Sequence, residues 1–144
     1  MHPYQTKNPD YEQEVRASFA QQSFMAYLGA ELTAVSPGQV TIGLPVTAQL
    51  SQQHGFVHAG ATTAVVDSAC GYATLSLLPP GSEVLTTEFK VNLLSPAQGV
   101  KLIAIGRVIK PGRTLTVCLG EVFAVAETGA QKLCALMTST IMCR

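Results

Sequence analysis

Charge is scarce in this sequence. Nine Lys or Arg and nine Asp or Glu give a formal net charge of zero, and charged residues fill 12% of its 144 positions. That is about half the usual globular share of roughly 25%. With Lys and Arg scattered and no positive excess, the chain has no electrostatic footprint for nucleic acid. So few charges leave a small domain short of groups to cover its own surface, which predicts burial of part of that surface in a homo-oligomer. None of the four cysteines, Cys70, Cys118, Cys134 and Cys143, forms a C-x-x-C pair or stands at metal-ligand spacing from a histidine. Reduced core thiols in a cytoplasmic protein are expected, with no metal and no cofactor. The N-terminus, MHPYQTKNPDYEQEVR, lacks the apolar core of a signal segment. The one long apolar run, 60–78, contains Asp67 and ends at Pro79-Pro80, so it predicts a buried helix and not a membrane span.

What is present reads as one globular domain. The length suits a single core, and the apolar fraction of 47% is normal for one. No repeat, linker or low-complexity stretch interrupts it. Residues 1–29 form an N-terminal segment with a helix over 10–28, for which Asp10 is a candidate N-cap and Gly29 a stop. Residues 30–144 form the main domain. Strands are expected over 30–36 and 39–46, joined by Pro37-Gly38, with Val40, Ile42, Leu44 and Val46 alternating at the period of a half-buried strand. A polar loop, 49–57, leads to the helix over 60–78, apolar or small on nearly every side and so expected to be enclosed by the rest of the fold. Four strands follow, 83–94, 100–110, 114–126 and 131–143, separated by turn residues. This order predicts an α+β fold in which an antiparallel sheet of about six strands, built as a meander, curls around one helix.

Across residues 33–82, Asp67 is the only Asp, Glu, Lys or Arg. Mid-helix aspartate is a poor helix former, and its neighbours at helical spacing, Thr63, Ala64, Cys70 and Gly71, are small enough for a ligand or a second chain to approach. Burial raises a carboxyl pKa, which suits a general base or nucleophile. A structural aspartate bonded to a nearby amide is the alternative. The segment before the helix, Gln52 to Gly60, is polar and glycine-bearing. Free N–H groups at the helix start, near Ala59 and Gly60, point along the positive end of the helix dipole and suit a developing oxyanion. His54 reads as a loop residue without a role, and His58 as one that either orients the loop or contacts substrate.

Three patterns resemble a known family. His58-Ala59-Gly60 is followed by Asp67 nine residues after the histidine. Thr86-Thr87-Glu88-Phe89-Lys90-Val91-Asn92 leads on to Leu94-Ser95-Pro96-Ala97, and Val108-Ile109-Lys110-Pro111-Gly112-Arg113-Thr114-Leu115 comes later. In this order they resemble the PaaI-type hotdog thioesterases. The resemblance implies a long helix wrapped by an antiparallel sheet, dimers that extend the sheet, usually tetramers, and active sites shared between subunits.

The same resemblance implies hydrolysis of an acyl-CoA to free acid and CoA. Asp67 would act as base or nucleophile and the Ala59 amide would polarise the carbonyl. Gln52 would hold the acyl group or the water, and Thr86 would contact the attacking water. His58 joins this catalytic set, while Gly60, Asn92 and Arg113 are carried as substrate-binding positions, Arg113 toward the CoA phosphates or else as a solvated turn charge. Many relatives have Gly where this chain has Ala59, which adds a methyl beside a retained backbone donor. Two other readings stay open. A hotdog enoyl-CoA hydratase is disfavoured because His54 and His58 have no acidic neighbour in sequence, and a non-catalytic acyl-CoA-binding module would not need a cleft carboxylate.

Overall fold

A computed structural model describes residues 4–144. Its elements are α1 (Tyr11–Gln21), α2 (Ser23–Leu28), β1 (Glu31–Ser36), β2 (Gln39–Pro45), a short 3-10 turn (Ala48–Leu50), α3 (Ala59–Leu75), β3 (Val84–Leu93), β4 (Lys101–Lys110), β5 (Leu115–Val125) and β6 (Gln131–Cys143). All six strands join one antiparallel sheet, in the order β1-β2-β4-β5-β6-β3. The α+β architecture, one long helix in a curled sheet, is the one expected.

Four local expectations need correction. The helix anticipated over 10–28 is two helices, because Gln22 leaves helical geometry (φ −82°, ψ 96°). Gln22 instead directs its side chain onto α3, where it bonds Tyr72 and Ser68. Asp10 stands at the N-cap of α1 but its carboxylate caps nothing, while the Asn8 side chain accepts the Asp10 N–H at 2.9 Å. The long helix ends at Leu75, and the remainder to Leu78 forms turns ahead of Pro79-Pro80.

The fourth correction is topological. Strands β4, β5 and β6 do form a meander, but β3 lies beyond β6 at the sheet edge. Helix α3 has already carried the chain across the sheet, so residues 94–100 must cross back. They do so beneath the start of α3: the Leu94 N–H donates to Cys134 O (2.9 Å), the Val57 N–H to Ala97 O (2.9 Å) and the Val100 N–H to Val125 O (2.8 Å). Turn residues at 95–99 suit a hairpin and a crossover equally, so the local sequence could not distinguish them.

The core lies between α3 and the concave face of the sheet. Val65, Val66, Ala69, Cys70 and Ala73 are fully buried there, as are Ile42, Leu102, Val122 and Ile141. All four cysteines are free and buried. The helix sits close against the sheet because two glycines, Gly106 on β4 and Gly120 on β5, are register partners beneath it. A Cβ at Gly106 would stand 2.4 Å from the Ala69 carbonyl carbon, and one at Gly120 would stand 2.4 Å from a Val66 methyl and 3.0 Å from the Cys70 sulfur. Enclosure of α3 is nevertheless incomplete. Thr63, Ala64, Asp67, Ser68 and Gly71 are half-buried and Gly60 is exposed, leaving a stripe of small side chains along one side.

The stripe faces outward beside β3, the last strand of the sheet. Among the described residues the outer edge of β3 has no partner strand, and Leu85, Phe89 and Leu93 are 53%, 44% and 56% exposed. A long, apolar free edge is a ready template for strand pairing.

The close helix–sheet contact makes Gly106→Ala a sharp test of the packing. Overpacking against backbone should cost about 2–3 kcal/mol, read as a lower urea midpoint with an unchanged m-value. Gly71→Ala is the control, since its Cβ would meet nothing nearer than a Val84 methyl at 3.9 Å.

Candidate active site

Asp67 projects from the middle of α3 toward the start of β3. Thr86 on that strand donates its hydroxyl to Asp67 Oδ1 at 2.8 Å, and among the described residues this is the carboxylate's only hydrogen bond. Two forces act on the carboxyl in opposite senses. Desolvation raises its pKa above the usual aspartate value, and the Thr86 hydroxyl lowers it by stabilising the charged form; desolvation is the larger effect. Asp67 and Thr86 share a cleft of about 640 Å³ that also touches Gln22, Ser68, Gly71 and Tyr72.

The start of α3 is built differently. His58 occupies the N-cap, and its Nδ1 accepts the Gly60 N–H at 2.7 Å. This fixes the ring proton on Nε2 and uses up one of the free amides. The N–H groups of Ala61 and Thr62 are taken by His58 O, at 3.0 and 3.3 Å. Ala59 N–H is left without a partner among the described residues. It opens into a second cleft, of about 590 Å³, lined by Gln52, His58, Ala59, Leu93 and Pro96 among others. Gln52 turns its amide oxygen inward to the N–H groups of His54 and Phe56, so only its amide NH2 remains for a ligand.

The anticipated site residues thus fall into two groups. Asp67 and Thr86 belong to one cleft; Gln52, His58 and Ala59 belong to the other, with Gly60 exposed beside it. Eight residues of α3 separate Asp67 from Ala59, about 12 Å of helix. One thioester carbonyl cannot touch both in a single chain. Asn92 pairs with Leu136, and its place in the strand alternation is on the sheet face opposite Thr86. It lines neither cleft. Arg113 is an exposed residue of the β4–β5 turn and lines neither cleft either. Both expectations of substrate contact come from segments matched by sequence, which fixes order along the chain but not the side of a strand.

Three residues of the Asp67 cleft, Gln22, Ser68 and Tyr72, carry no signal in sequence. Gln22 lies within a run of polar residues that fits a continuous helix, and the other two fit an ordinary helix face. In Thr86→Val the Asp67 carboxyl loses its only donor while keeping its burial. A carbon-13 NMR titration should place its pKa above that of the wild type, and an unmoved or lowered value would contradict this balance of forces.

Comparison with known proteins agrees with the geometry. The sequence pattern of the family described as Thioesterase superfamily matches residues 54–130. A thioesterase family protein from Silicibacter pomeroyi is 48% identical, with 92% of this chain and 97% of that one covered at a TM-score of 0.90. The 1,4-dihydroxy-2-naphthoyl-CoA hydrolase of Listeria monocytogenes is 25% identical over 114 residues, 79% of this chain and 89% of its own length. The E. coli PaaI protein from the phenylacetic acid degradation operon shares the fold, with a TM-score of 0.81 at 22% identity over 92% of each chain. Fold, motif order and similarity agree: this chain belongs to the thioesterase superfamily and is a hydrolase of the hotdog fold.

Proposed function

We propose that the protein hydrolyses acyl-CoA thioesters at sites shared between two copies of the chain. One observation carries this reading. The carboxylate and the free helix amide lie about 12 Å apart on α3, in separate clefts, and those clefts flank opposite ends of the edge strand β3, whose outer side has no partner strand among the described residues. Antiparallel pairing of β3 with its counterpart about a two-fold axis sets the Leu93 end of one copy beside the Val84–Thr86 end of the other. The Ala59 cleft of each copy then meets the Asp67 cleft of its partner, giving two identical composite sites.

In this arrangement the Ala59 N–H, at the positive end of the helix dipole, receives the thioester oxygen. Asp67 acts as general base: it takes a proton from water, the resulting hydroxide attacks the carbonyl carbon, and the C–S bond breaks as the proton passes to the CoA sulfur. A raised carboxyl pKa suits this role. Direct attack by Asp67 through a mixed anhydride is the competing step, and it would place an oxygen-18 label from water in the Asp67 side chain. The acyl-CoA class is supported by the Listeria relative, whose name gives a CoA thioester as its substrate. Thr86 holds the base in place, and the Gln52 amide NH2 faces the acyl or water position. A tetramer would follow from stacking of the outer sheet faces, where Leu115 and Val117 are exposed. Four free, buried thiols support placement in the reducing cytoplasm.

Two predictions separate the components. Asp67→Asn should lower turnover by roughly 100- to 10,000-fold and yet raise Tm at pH 7. The folded-state pKa is raised, so the native state bears a cost for the charge above that pKa. The cost is absent at pH values below the ordinary aspartate range, so the Tm gain should vanish in acid. A wild-type rate in this variant would refute the role of Asp67.

Ala59 occupies the first helical position, where proline is tolerated and only the N–H is lost. Ala59→Pro should therefore fold and lose roughly 100- to 1,000-fold in kcat. Co-expressed Asp67→Ala and Ala59→Pro chains should regain about a quarter of wild-type activity, since half the dimers are mixed and each mixed dimer rebuilds one intact site. No recovery on mixing would show that both groups act within one chain.

A further inference from the structure

Among the described residues two buried side-chain oxygens have no hydrogen-bond partner, Thr62 Oγ1 and Ser139 Oγ. Ser139 lies on β6 and lines neither cleft. Thr62 stands one turn into α3, is 2% exposed, and lines the Ala59 cleft. A second threonine of the same helix shows what such a hydroxyl ordinarily does: Thr74 donates to Cys70 O, one turn back, at 3.1 Å. Thr62 has no such outlet. The carbonyl one turn back from it is that of His58, which already accepts the N–H groups of Ala61 and Thr62.

We infer that Thr62 is a second donor to the thioester oxygen, so that Ala59 N–H and Thr62 O–H hold the oxyanion together. This role rests on the reading of the Ala59 cleft as the seat of the thioester carbonyl. A buried hydroxyl left unpaired is costly, and one kept beside an open cleft points to a partner that arrives with the ligand. Helical side chains lean toward the N-terminus, so that of residue 62 lies over the first turn, on the face of residue 59. Its hydrogen is unspent. The first turn is also short of donors, since the His58 ring takes the Gly60 N–H and His58 O takes the next two. A carbonyl oxygen has two lone pairs and no hydrogen, so one amide and one hydroxyl satisfy it fully.

The gain comes in the transition state. As hydroxide from the water activated by Asp67 adds to the carbonyl carbon, the C=O π pair moves onto oxygen, and both donors bond the new charge more strongly. The Thr62 proton stays on its own oxygen throughout. When the tetrahedral intermediate collapses, the pair returns, the C–S bond breaks and Asp67 gives its proton to the CoA sulfur. Thr62 therefore contributes more to the intermediate than to bound substrate, which places its effect in kcat and not in KM.

The test uses full-length protein and thiol release from hexanoyl-CoA, decanoyl-CoA and phenylacetyl-CoA. Thr62→Val keeps the shape of the side chain and removes the hydroxyl. On the best of these substrates it should lower kcat by roughly 10- to 100-fold, with KM within about threefold of wild type. Binding of the thioether S-hexyl-CoA, which has no carbonyl oxygen, should be unchanged. Because the hydroxyl is unpaired in the free protein, the same variant should raise Tm by about 2–5 °C. A hydroxyl serving the fold alone would lower Tm when removed. Thr62→Ser should recover most of the rate. Should Thr62→Val not fold, Thr62→Ala also removes the hydroxyl, and its kcat decides. A wild-type kcat in a folded variant without the hydroxyl overturns the second donor while leaving the thioesterase reading intact, and so does a loss that Thr62→Ser fails to recover. Absence of thiol release by wild type from all three substrates overturns the acyl-CoA reading and the donor with it.

Discussion

The fold depends on how closely α3 approaches the sheet. Gly106 and Gly120 face each other across β4 and β5 with no side chain between them and the helix. That approach fixes the height of α3 and the direction in which its remaining sides point. It lets Val65, Val66, Ala69 and Cys70 reach full burial, and it commits the opposite stripe, with Asp67 in it, to the margin of the sheet. A helix raised by one methyl layer would carry its carboxylate away from Thr86 and its first-turn amide away from the crossover loop at Ala97. The glycine pair thus decides, at a distance, which side chains of α3 lie at the edge.

Much of this was legible in the sequence, for identifiable reasons. Strand alternation in β2, the small-residue helix and the lone charge at Asp67 are local patterns, and local patterns survive folding. The order of strands in the sheet was not legible at β3, because the position of that strand depends on where α3 delivers the chain. The break at Gln22 was hidden because a polar residue in a helical run reads as solvent-facing, and its partners on α3 are some fifty residues away. Gly106 and Gly120 gave no sign of their pairing, which depends on register.

At the candidate site the sequence indicated residue types and left the availability of their polar groups open. Free amides were expected at Ala59 and Gly60, and the His58 ring takes one of them. This leaves Ala59 N–H as the amide without a partner among the described residues and makes His58 the cap of the first turn. Thr86 was expected beside water, and its hydroxyl is bonded to Asp67. Its influence is therefore exerted through the carboxylate's position and proton affinity.

The break at Gln22 gives the N-terminal segment a meaning that a boundary at residue 29 would hide. Counted by architecture, residues 4–29 precede the sheet and its helix and lend Val15 and Met25 to their core. Counted by the cleft, they supply one of its walls. Asp67 and the Ala59 amide sit on α3, whereas Gln22 sits on the link between α1 and α2, two helices that Val15 and Met25 fasten to the core. The Asp67 cleft is therefore assembled from parts of the chain some fifty residues apart. A change confined to the α1–α2 link would reshape that wall of the cleft while α3 stays seated on its glycine pair.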